Sequence, residues 1–201
     1  TEPWYKPVAP SFEPERLWQL VGGTREHPGR FCTGFPNHVA PREVSLKFAG
    51  AGGDGAQTAA MLLTRAAIDE GFDSTHIPSY GPESRGGTSY ADVHVAEEEV
   101  LNPSSPAPDI LVAFNAPSLA KFGPAVPPGG TIIYDRSVVV DPPKFDPAVR
   151  VFAVPMTEIA VDLGRSMVKN IVALGALQAA TQLYPRDTFL TAIRQALKDK
   201  C

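Results

Sequence analysis

An apolar segment that runs into a glycine-rich turn and then into a second apolar run most constrains how this chain folds. Val44–Phe48 has the pattern of a strand, and Ala56–Leu63 has that of a helix start. A strand, a tight turn and a helix in this order form one unit of an α/β fold. We therefore predict a strand at residues 44–49 and a helix that begins at Asp54 or Gly55 and ends at Glu70. The glycines of the turn are Gly50, Gly52, Gly53 and Gly55.

Strands and helices alternate along the rest of the chain. Further strands are predicted at residues 74–79, 89–95, 109–114, 129–135 and 149–154. Small or apolar residues alternate with polar ones at 89–95, which predicts an antiparallel strand at an edge of the sheet. Helices are predicted at 118–122, from Thr157 through Met167 to a stop at Pro185, and at 186–200. The fold class is α/β, a three-layer open sheet that is mostly parallel and Rossmann-like.

Residues 1–43 differ in composition from the rest of the chain. They contain both tryptophans and many prolines, which interrupt regular helices and strands. This segment is predicted to be an irregular, proline-rich N-terminal extension, and residues 44–201 form the α/β domain. The extension either packs on its own domain or wraps a partner subunit, and its aromatic side chains favour the second interpretation.

The composition argues against several classes of partner. A formal charge of −4 and the lack of a basic stripe speak against nucleic acid, and no apolar run approaches the roughly 20 residues that span a bilayer. No secretory signal pattern is visible at the start, so we expect a cytoplasmic protein. Cys32 and Cys201 lack the paired spacing of zinc or iron–sulfur ligands. We therefore expect two free thiols and no metal bound by this chain.

The glycine turn matches the GxGxxG pattern of dinucleotide-binding folds, in which a pyrophosphate lies at the helix N-terminus. Those folds place an acidic residue at the end of the second strand, whereas the second strand here ends at Ser79. Asp54 would cap the helix favourably but would repel a phosphate. We favour a tight turn capped by Asp54 over a site for NAD or FAD. Residues 53–55 also match the start of a thiamine diphosphate motif, but no asparagine follows at a suitable distance.

A charged, glycine-containing loop follows the second predicted strand. Its residues are Tyr80, Gly81, Pro82, Glu83, Ser84, Arg85, Gly86 and Gly87. Arg85 can make a planar, two-point contact with a carboxylate or phosphate, and Glu83 can pair with it or with a partner subunit. An exposed salt bridge is the alternative, and such pairs contribute only about 0 to 1 kcal/mol.

No pair of nucleophile and base is evident, so no catalytic residue is predicted. His76 and His94 lie within predicted strands and are interpreted as structural or surface histidines. Asn115 follows a buried strand and precedes Pro117. Its amide either faces the crevice at the carboxyl ends of the strands or forms an Asx-turn.

Several of these segments together resemble one family. They are the turn at residues 50–55, the loop at residues 81–87, residues 115–119, residues 128–130 and residues 170–177. In this pattern the chain resembles the gamma subunit, or gamma domain, of the 2-oxoacid:ferredoxin oxidoreductases of the pyruvate, 2-oxoisovalerate, 2-oxoglutarate or aryl-glyoxylate type. Asp54 departs from the glutamine that is usual in this family, and residues 1–43 lie outside the family domain.

The resemblance implies a subunit of a heteromeric enzyme that oxidatively decarboxylates a 2-oxoacid to an acyl-coenzyme A. Thiamine diphosphate, Mg and [4Fe-4S] clusters would be held mainly by partner subunits, with coenzyme A as cosubstrate. The implied partners are thiamine-binding alpha and beta subunits, a ferredoxin-like iron–sulfur subunit and, optionally, a further electron-transfer subunit. The loop Tyr80–Gly87 would lie at the subunit junction, near the active site or coenzyme A channel. The alternative is a free nucleotide-binding, Rossmann-like protein.

Overall fold

The computed structural model describes residues 43–79, 88–97, 100 and 103–197. The strands in these ranges are β1 (Glu43–Ala51), β2 (Asp73–Ser79), β3 (Thr88–Ala96), β4 (Ile110–Ala113), β5 (Thr131–Asp135) and β6 (Arg150–Val154). The α-helices are α1 (Ala56–Asp69), α2 (Ala116–Phe122), α3 (Met156–Asp162), α4 (Lys169–Thr181) and α5 (Arg186–Leu197). Short 3-10 helices cover Gly123–Ala125 and Ser166–Val168. Among the helices of these ranges, none is long and apolar enough to cross a membrane.

The strands form one sheet in the order β2-β3-β1-β4-β5-β6. β1, β4, β5 and β6 are parallel, whereas β3 is antiparallel to both of its neighbours. The predicted mostly parallel α/β fold is thus confirmed. The predicted edge position of β3 is wrong, because β2 occupies that edge. The polar residues of β3 alternate because one of its faces carries buried polar pairs, such as Asp92 with Lys47, and not because that face is wet.

Two hydrophobic clusters lie on opposite faces of the sheet. The larger one joins Val44, Leu46 and Phe48 of β1 to buried residues of α1, α4 and α5. The smaller one contains Ala49 of β1, Leu111 of β4 and Leu119 of α2. The alternation of side chains along each strand sends successive residues to opposite clusters, which gives the three layers of the fold.

The single helix predicted from Thr157 to Pro185 is divided in the structure. α3 ends at Asp162, after which Gly164 has a φ of 80° and Arg165 is extended. α4 ends at Thr181, because Gln182 is left-handed with a φ of 50° and the Thr181 hydroxyl accepts from the Leu183 amide. Met167 lies between α3 and α4 and is 86% exposed, so it is not part of the apolar stripe that the sequence predicted.

Two sequence predictions fall on residues that the structure does not describe. The N-terminal extension lies outside the described ranges apart from Glu43, which is the first residue of β1. The loop Tyr80–Gly87 also lies outside them. The residues on either side of it are described: Ser79 is the last residue of β2, and Thr88 is the first residue of β3. These two strands are antiparallel, and Ser79 pairs with Tyr90.

Candidate functional site

The glycine turn and Asn115 lie side by side at the carboxyl ends of two neighbouring parallel strands. β1 leads into the turn and β4 leads to Asn115, and the two strands pair from Leu46 with Ile110 to Ala49 with Ala113. The chain continues from β1 toward β2 at one edge and from β4 toward β5 on the other side. Ligands of open α/β sheets bind at such a switch point in strand order. The candidate site is therefore this part of the carboxyl edge.

Asp54 does not cap α1, contrary to the prediction. The N-cap residue is Gly55, and the helix has no side-chain capping hydrogen bond. Asp54 Oδ2 instead accepts from the Ala51 amide at 2.7 Å and from Asn115 Nδ2 at 3.3 Å, while Oδ1 pairs with Lys169 Nζ. The prediction failed because an ammonium group competes strongly for a carboxylate, and the sequence did not show that Lys169 lies nearby.

Two glycines of this region are required by close packing. Gly50 lies in β1 and not in the turn, and a Cβ there would be 2.9 Å from Asp54 Cβ and 3.1 Å from Phe114 Cβ. Gly55 has a φ of 82°, and its Cβ would be 2.9 Å from Asn170 Cβ. At Gly52 and Gly53, no atom of the described ranges lies within 4 Å of such a Cβ. Glycine is thus needed at position 50 to leave room for the Asp54 side chain, and at position 55 to leave room for Asn170 at the start of α4.

Asn115 forms the Asx-type turn that the sequence allowed. It is the N-cap of α2, and its Oδ1 accepts from the Ser118 amide at 2.9 Å. Helix α2 therefore begins two residues earlier than predicted. The remaining amide nitrogen of Asn115 donates to Asp54, so one side chain joins the cap of α2 to the glycine turn.

Gln57 is a residue of this edge that sequence reasoning missed. It lies in the first turn of α1, and its Nε2 donates to the Tyr90 carbonyl at 2.8 Å and lies 3.2 Å from Ser89 Oγ and 3.5 Å from the Ser79 carbonyl. The partners are Ser79, which is the last residue of β2, and Ser89 and Tyr90 near the start of β3. One side chain therefore ties together both strand ends that flank residues 80–87. A glutamine next to a glycine turn gives no signal for this role, because the partners come from strands much later in the chain.

A buried ion pair lies on the α2 face of β1 and β3. Lys47 Nζ pairs with Asp92 Oδ1, and both side chains are almost fully buried. The ammonium also lies 4.6 Å from the ring centre of Tyr90 and 5.1 Å from that of Phe122. These partners enclose Lys47 completely, so it is a structural group and is not free to meet a ligand.

His94 is held through both ring nitrogens. Its Nδ1 contacts Glu43 Oε1 at 2.8 Å, and its Nε2 contacts Ser105 Oγ. The order of groups resembles a hydrolytic triad, but Ser105 is only 2% exposed and cannot reach a substrate. His76 on β2 differs, because its Nε2 is buried without a hydrogen-bond partner among the described residues, and burial lowers its pKa. His94 is thus structural, as the sequence indicated.

The described residues do not fit the metal cofactors that the resemblance implies. In residues 43–79, 88–97, 100 and 103–197, no group of three or more His, Cys, Asp or Glu side chains is placed to hold a metal ion. An iron–sulfur cluster takes four cysteine ligands as a rule, whereas this sequence has only Cys32 and Cys201. Neither cysteine lies in the described part of the chain.

Comparison with known proteins gives a consistent group of relatives. The model of the pyruvate ferredoxin/flavodoxin oxidoreductase family matches residues 45–201. Ketoisovalerate oxidoreductase subunit VorA of Methanothermobacter marburgensis is 41% identical over 161 residues, which are 79% of this chain and 33% of that protein. 2-Oxoglutarate synthase subunit KorC of Archaeoglobus fulgidus is 36% identical over 146 residues, which are 72% of this chain and 74% of that subunit. The chain thus spans about a third of the VorA relative but most of the KorC relative.

A solved structure supports the same grouping. The gamma subunit of a keto/oxoacid ferredoxin oxidoreductase from Geobacter sulfurreducens superposes with a TM-score of 0.64 at 30% sequence identity. The match covers 75% of this chain and 84% of that subunit. Both the sequence and the fold are therefore similar to those of oxoacid oxidoreductase subunits.

Proposed function

Because the chain belongs to the pyruvate ferredoxin/flavodoxin oxidoreductase family, we propose that it is the gamma-type subunit of a heteromeric 2-oxoacid oxidoreductase. The complex oxidatively decarboxylates a 2-oxoacid and forms an acyl-coenzyme A. The observation that carries this proposal is the family match over residues 45–201, which includes the described domain from the third residue of β1 onward. The similarity to KorC over most of that subunit supports a separate subunit of this kind.

In this proposal the chain itself is inactive and supports assembly and the active-site region. In the described ranges no group of three or more His, Cys, Asp or Glu side chains is placed to hold a metal ion, and the serine that contacts His94 is only 2% exposed. Thiamine diphosphate, Mg and [4Fe-4S] clusters are held by partner subunits, and coenzyme A is a cosubstrate. The partners are thiamine-binding alpha and beta subunits and a ferredoxin-like iron–sulfur subunit, in a complex placed in the cytoplasm.

The loop Tyr80–Gly87 is proposed to contact the thiamine-binding subunits near the active site or the coenzyme A channel. Its position in the chain supports this, because it connects the strand ends that Gln57 holds at the carboxyl edge. Arg85 is the loop residue best suited to a carboxylate or phosphate. The N-terminal extension is proposed to wrap a partner subunit.

Recovery of the complex from the native host tests the function. The full chain carries an affinity tag, and the proteins that copurify with it are identified by mass spectrometry. We expect subunits with thiamine-binding and iron–sulfur sequences in fixed proportion to the tagged chain. Recovery of the chain alone, under conditions that keep other heteromeric enzymes of the host intact, would argue against the proposal.

The role of the loop is tested by Arg85→Ala in that complex, with the exposed Arg65 of α1 changed to Ala as the matched control. We expect the Arg85 variant to lower turnover or assembly while the isolated chain keeps its fold, and the Arg65 variant to behave as wild type. Unchanged steady-state kinetics of an intact Arg85→Ala complex would remove the loop from the proposal.

A free nucleotide-binding protein is the second candidate, and it is not favoured. The relatives are named as oxidoreductase subunits, and a carboxylate lies in the turn that would have to receive the phosphates. Titration of the chain with NAD or FAD separates the two candidates directly.

A further inference from the structure

The Asp54 carboxylate contacts groups from three separate parts of the chain. The Ala51 amide belongs to the end of β1, Asn115 caps α2 and Lys169 begins α4. All three donate to the carboxylate. A protein binds a phosphate at a glycine turn with the same kinds of group, namely backbone amides and a basic side chain.

The carboxylate and its ion-pair partner are largely shielded from solvent. The Asp54 side chain is 17% exposed and the Lys169 side chain is 16% exposed. Asn170 lies directly against Gly55, where it closes the other side of the turn. A ligand phosphate would therefore have to displace Asp54 from donors that already surround a negative charge.

The charge balance depends on Asp54. In the part of the chain that the structure describes, Asp54 is the acidic group that pairs with Lys169. Removal of its charge would leave a largely buried ammonium without a counter-ion, and such a group gains strongly from a bound anion. The Ala51 amide would remain in place as a further donor.

We infer that the glycine turn is a self-liganded anion site. The Asp54 carboxylate takes the place of a ligand phosphate and thereby selects against nucleotides and other phosphate compounds. Lys169 is the anion-binding group of the site, and Asp54 is its intramolecular competitor. This inference stands apart from the proposed function, because it rests on contacts within this chain alone.

The experiment compares pyrophosphate binding by the full chain and its variants, measured by isothermal titration calorimetry at low ionic strength. Asp54→Asn keeps the size of the side chain and removes the charge. We expect this variant to bind pyrophosphate at least about tenfold more tightly than wild type, which corresponds to about 1.4 kcal/mol. The double variant Asp54→Asn/Lys169→Gln should lose that gain.

The exposed Asp69 at the end of α1 supplies the matched control, since Asp69→Asn changes the net charge equally and should not alter binding. If Asp54→Asn does not fold, Asp54→Gln replaces it, because the glutamine amide also removes the charge. Pyrophosphate binding by wild type as tight as that of the variant would overturn the inference. A folded variant that gains no binding, or a gain that survives Lys169→Gln, would overturn it as well.

Discussion

Asp54 and Lys169 form an ion pair across the carboxyl edge of the sheet, although 115 residues separate them in the chain. The next residues, Gly55 and Asn170, are also in contact. Two consecutive pairs thus fix the start of α4 against the turn that begins α1. This junction holds the glycine turn against α4 through contacts within the chain itself.

The contact between Gly55 and Asn170 leads to a prediction about the glycines of the turn. Gly55→Ala introduces a Cβ at positive φ that also meets Asn170 at 2.9 Å, so it should lower the free energy of unfolding by about 2 to 4 kcal/mol. Gly52→Ala is the control, because its Cβ would have no atom of the described residues within 4 Å, and it should change stability by less than about 0.5 kcal/mol. Urea denaturation measures both. Equal effects of the two substitutions would contradict this account of the turn.

Gln57 should stabilise the strand ends that flank the loop Tyr80–Gly87. Gln57→Leu keeps the approximate size but removes the donor to the Ser79 and Tyr90 carbonyls, so it should cost about 1 to 3 kcal/mol. Gln57→Glu should cost more at pH 7, because its carboxylate removes the donor and also places a negative charge against these carbonyl oxygens.

Hydrogen exchange provides the local measurement for Gln57. Amides at the paired ends of β2 and β3 should exchange faster in Gln57→Leu than in wild type, whereas those of β5 should not change. Thr58→Ala, at the exposed neighbouring position of α1, serves as the control. If Gln57→Leu and Thr58→Ala give the same exchange pattern, Gln57 does not hold these strand ends.

The buried pair of Lys47 and Asp92 should show strong coupling in a double-mutant cycle. Lys47→Met or Asp92→Leu alone leaves an unpaired buried charge and should cost about 3 to 5 kcal/mol. The double variant should recover most of that loss, since apolar side chains of similar volume often replace a buried ion pair without penalty. Urea denaturation of the four proteins gives the coupling energy.

Lys121→Met is the matched control for this cycle. Lys121 is exposed and lies 5.1 Å from the Phe122 ring centre, near the same aromatic side chains as Lys47. Its replacement should cost no more than about 1 kcal/mol. Additive effects of Lys47→Met and Asp92→Leu would show that the pair does not act as a unit.

Tyr184 should be replaceable by phenylalanine without loss of stability at neutral pH. Its hydroxyl is buried without a hydrogen-bond partner in the part of the chain that the structure describes, and its ring centre lies 5.7 Å from that of Phe72 and 6.0 Å from that of Phe189. Tyr184→Phe removes the cost of burying that hydroxyl, so the free energy of unfolding should stay unchanged or rise by about 1 to 2 kcal/mol.

The same residue gives a pH dependence with a defined sign. Burial, and to a smaller degree the nearby Glu70 carboxylate, raise the Tyr184 pKa well above its ordinary value of 10.0. Above pH 10 the unfolded chain therefore loses a proton that the folded protein keeps, and stability falls as the pH rises. Urea denaturation at pH 7 and pH 10.5 should show a larger loss for wild type than for Tyr184→Phe. Equal losses would mean that Tyr184 does not contribute.

The strands were predictable because their patterns are local. All six strands are predicted from the sequence to within two residues at each end. The apolar runs of β4 and β5, for example, are recognisable without knowledge of distant contacts. The order of the strands is harder to predict. The sequence predicts β3 at an edge, because polar strand residues such as Asp92 usually face solvent. Their buried partners, including Lys47, become visible only when β1 and β3 are paired.

The candidate site was predictable only in part for the same reason. The glycine turn and Asn115 carry local signals, and the structure places them together at the switch point of the sheet. Lys169 and Gln57 carry none, because their roles depend on partners 115 and up to 33 residues away. The break between α3 and α4 depends on Gly164 and the extended Arg165. The sequence does not indicate this break, because apolar residues recur at helical spacing on to Ala180.

The most direct test of the proposed function is an activity assay on the complex recovered through the tagged chain. Coenzyme A-dependent reduction of a dye is measured with pyruvate, 2-oxoisovalerate, 2-oxoglutarate and an aryl-glyoxylate as substrates. The account predicts that at least one of these acids is oxidised, that acyl-coenzyme A is formed in step with dye reduction, and that omission of coenzyme A abolishes turnover. A stable, cofactor-loaded complex that oxidises none of the four acids would contradict it.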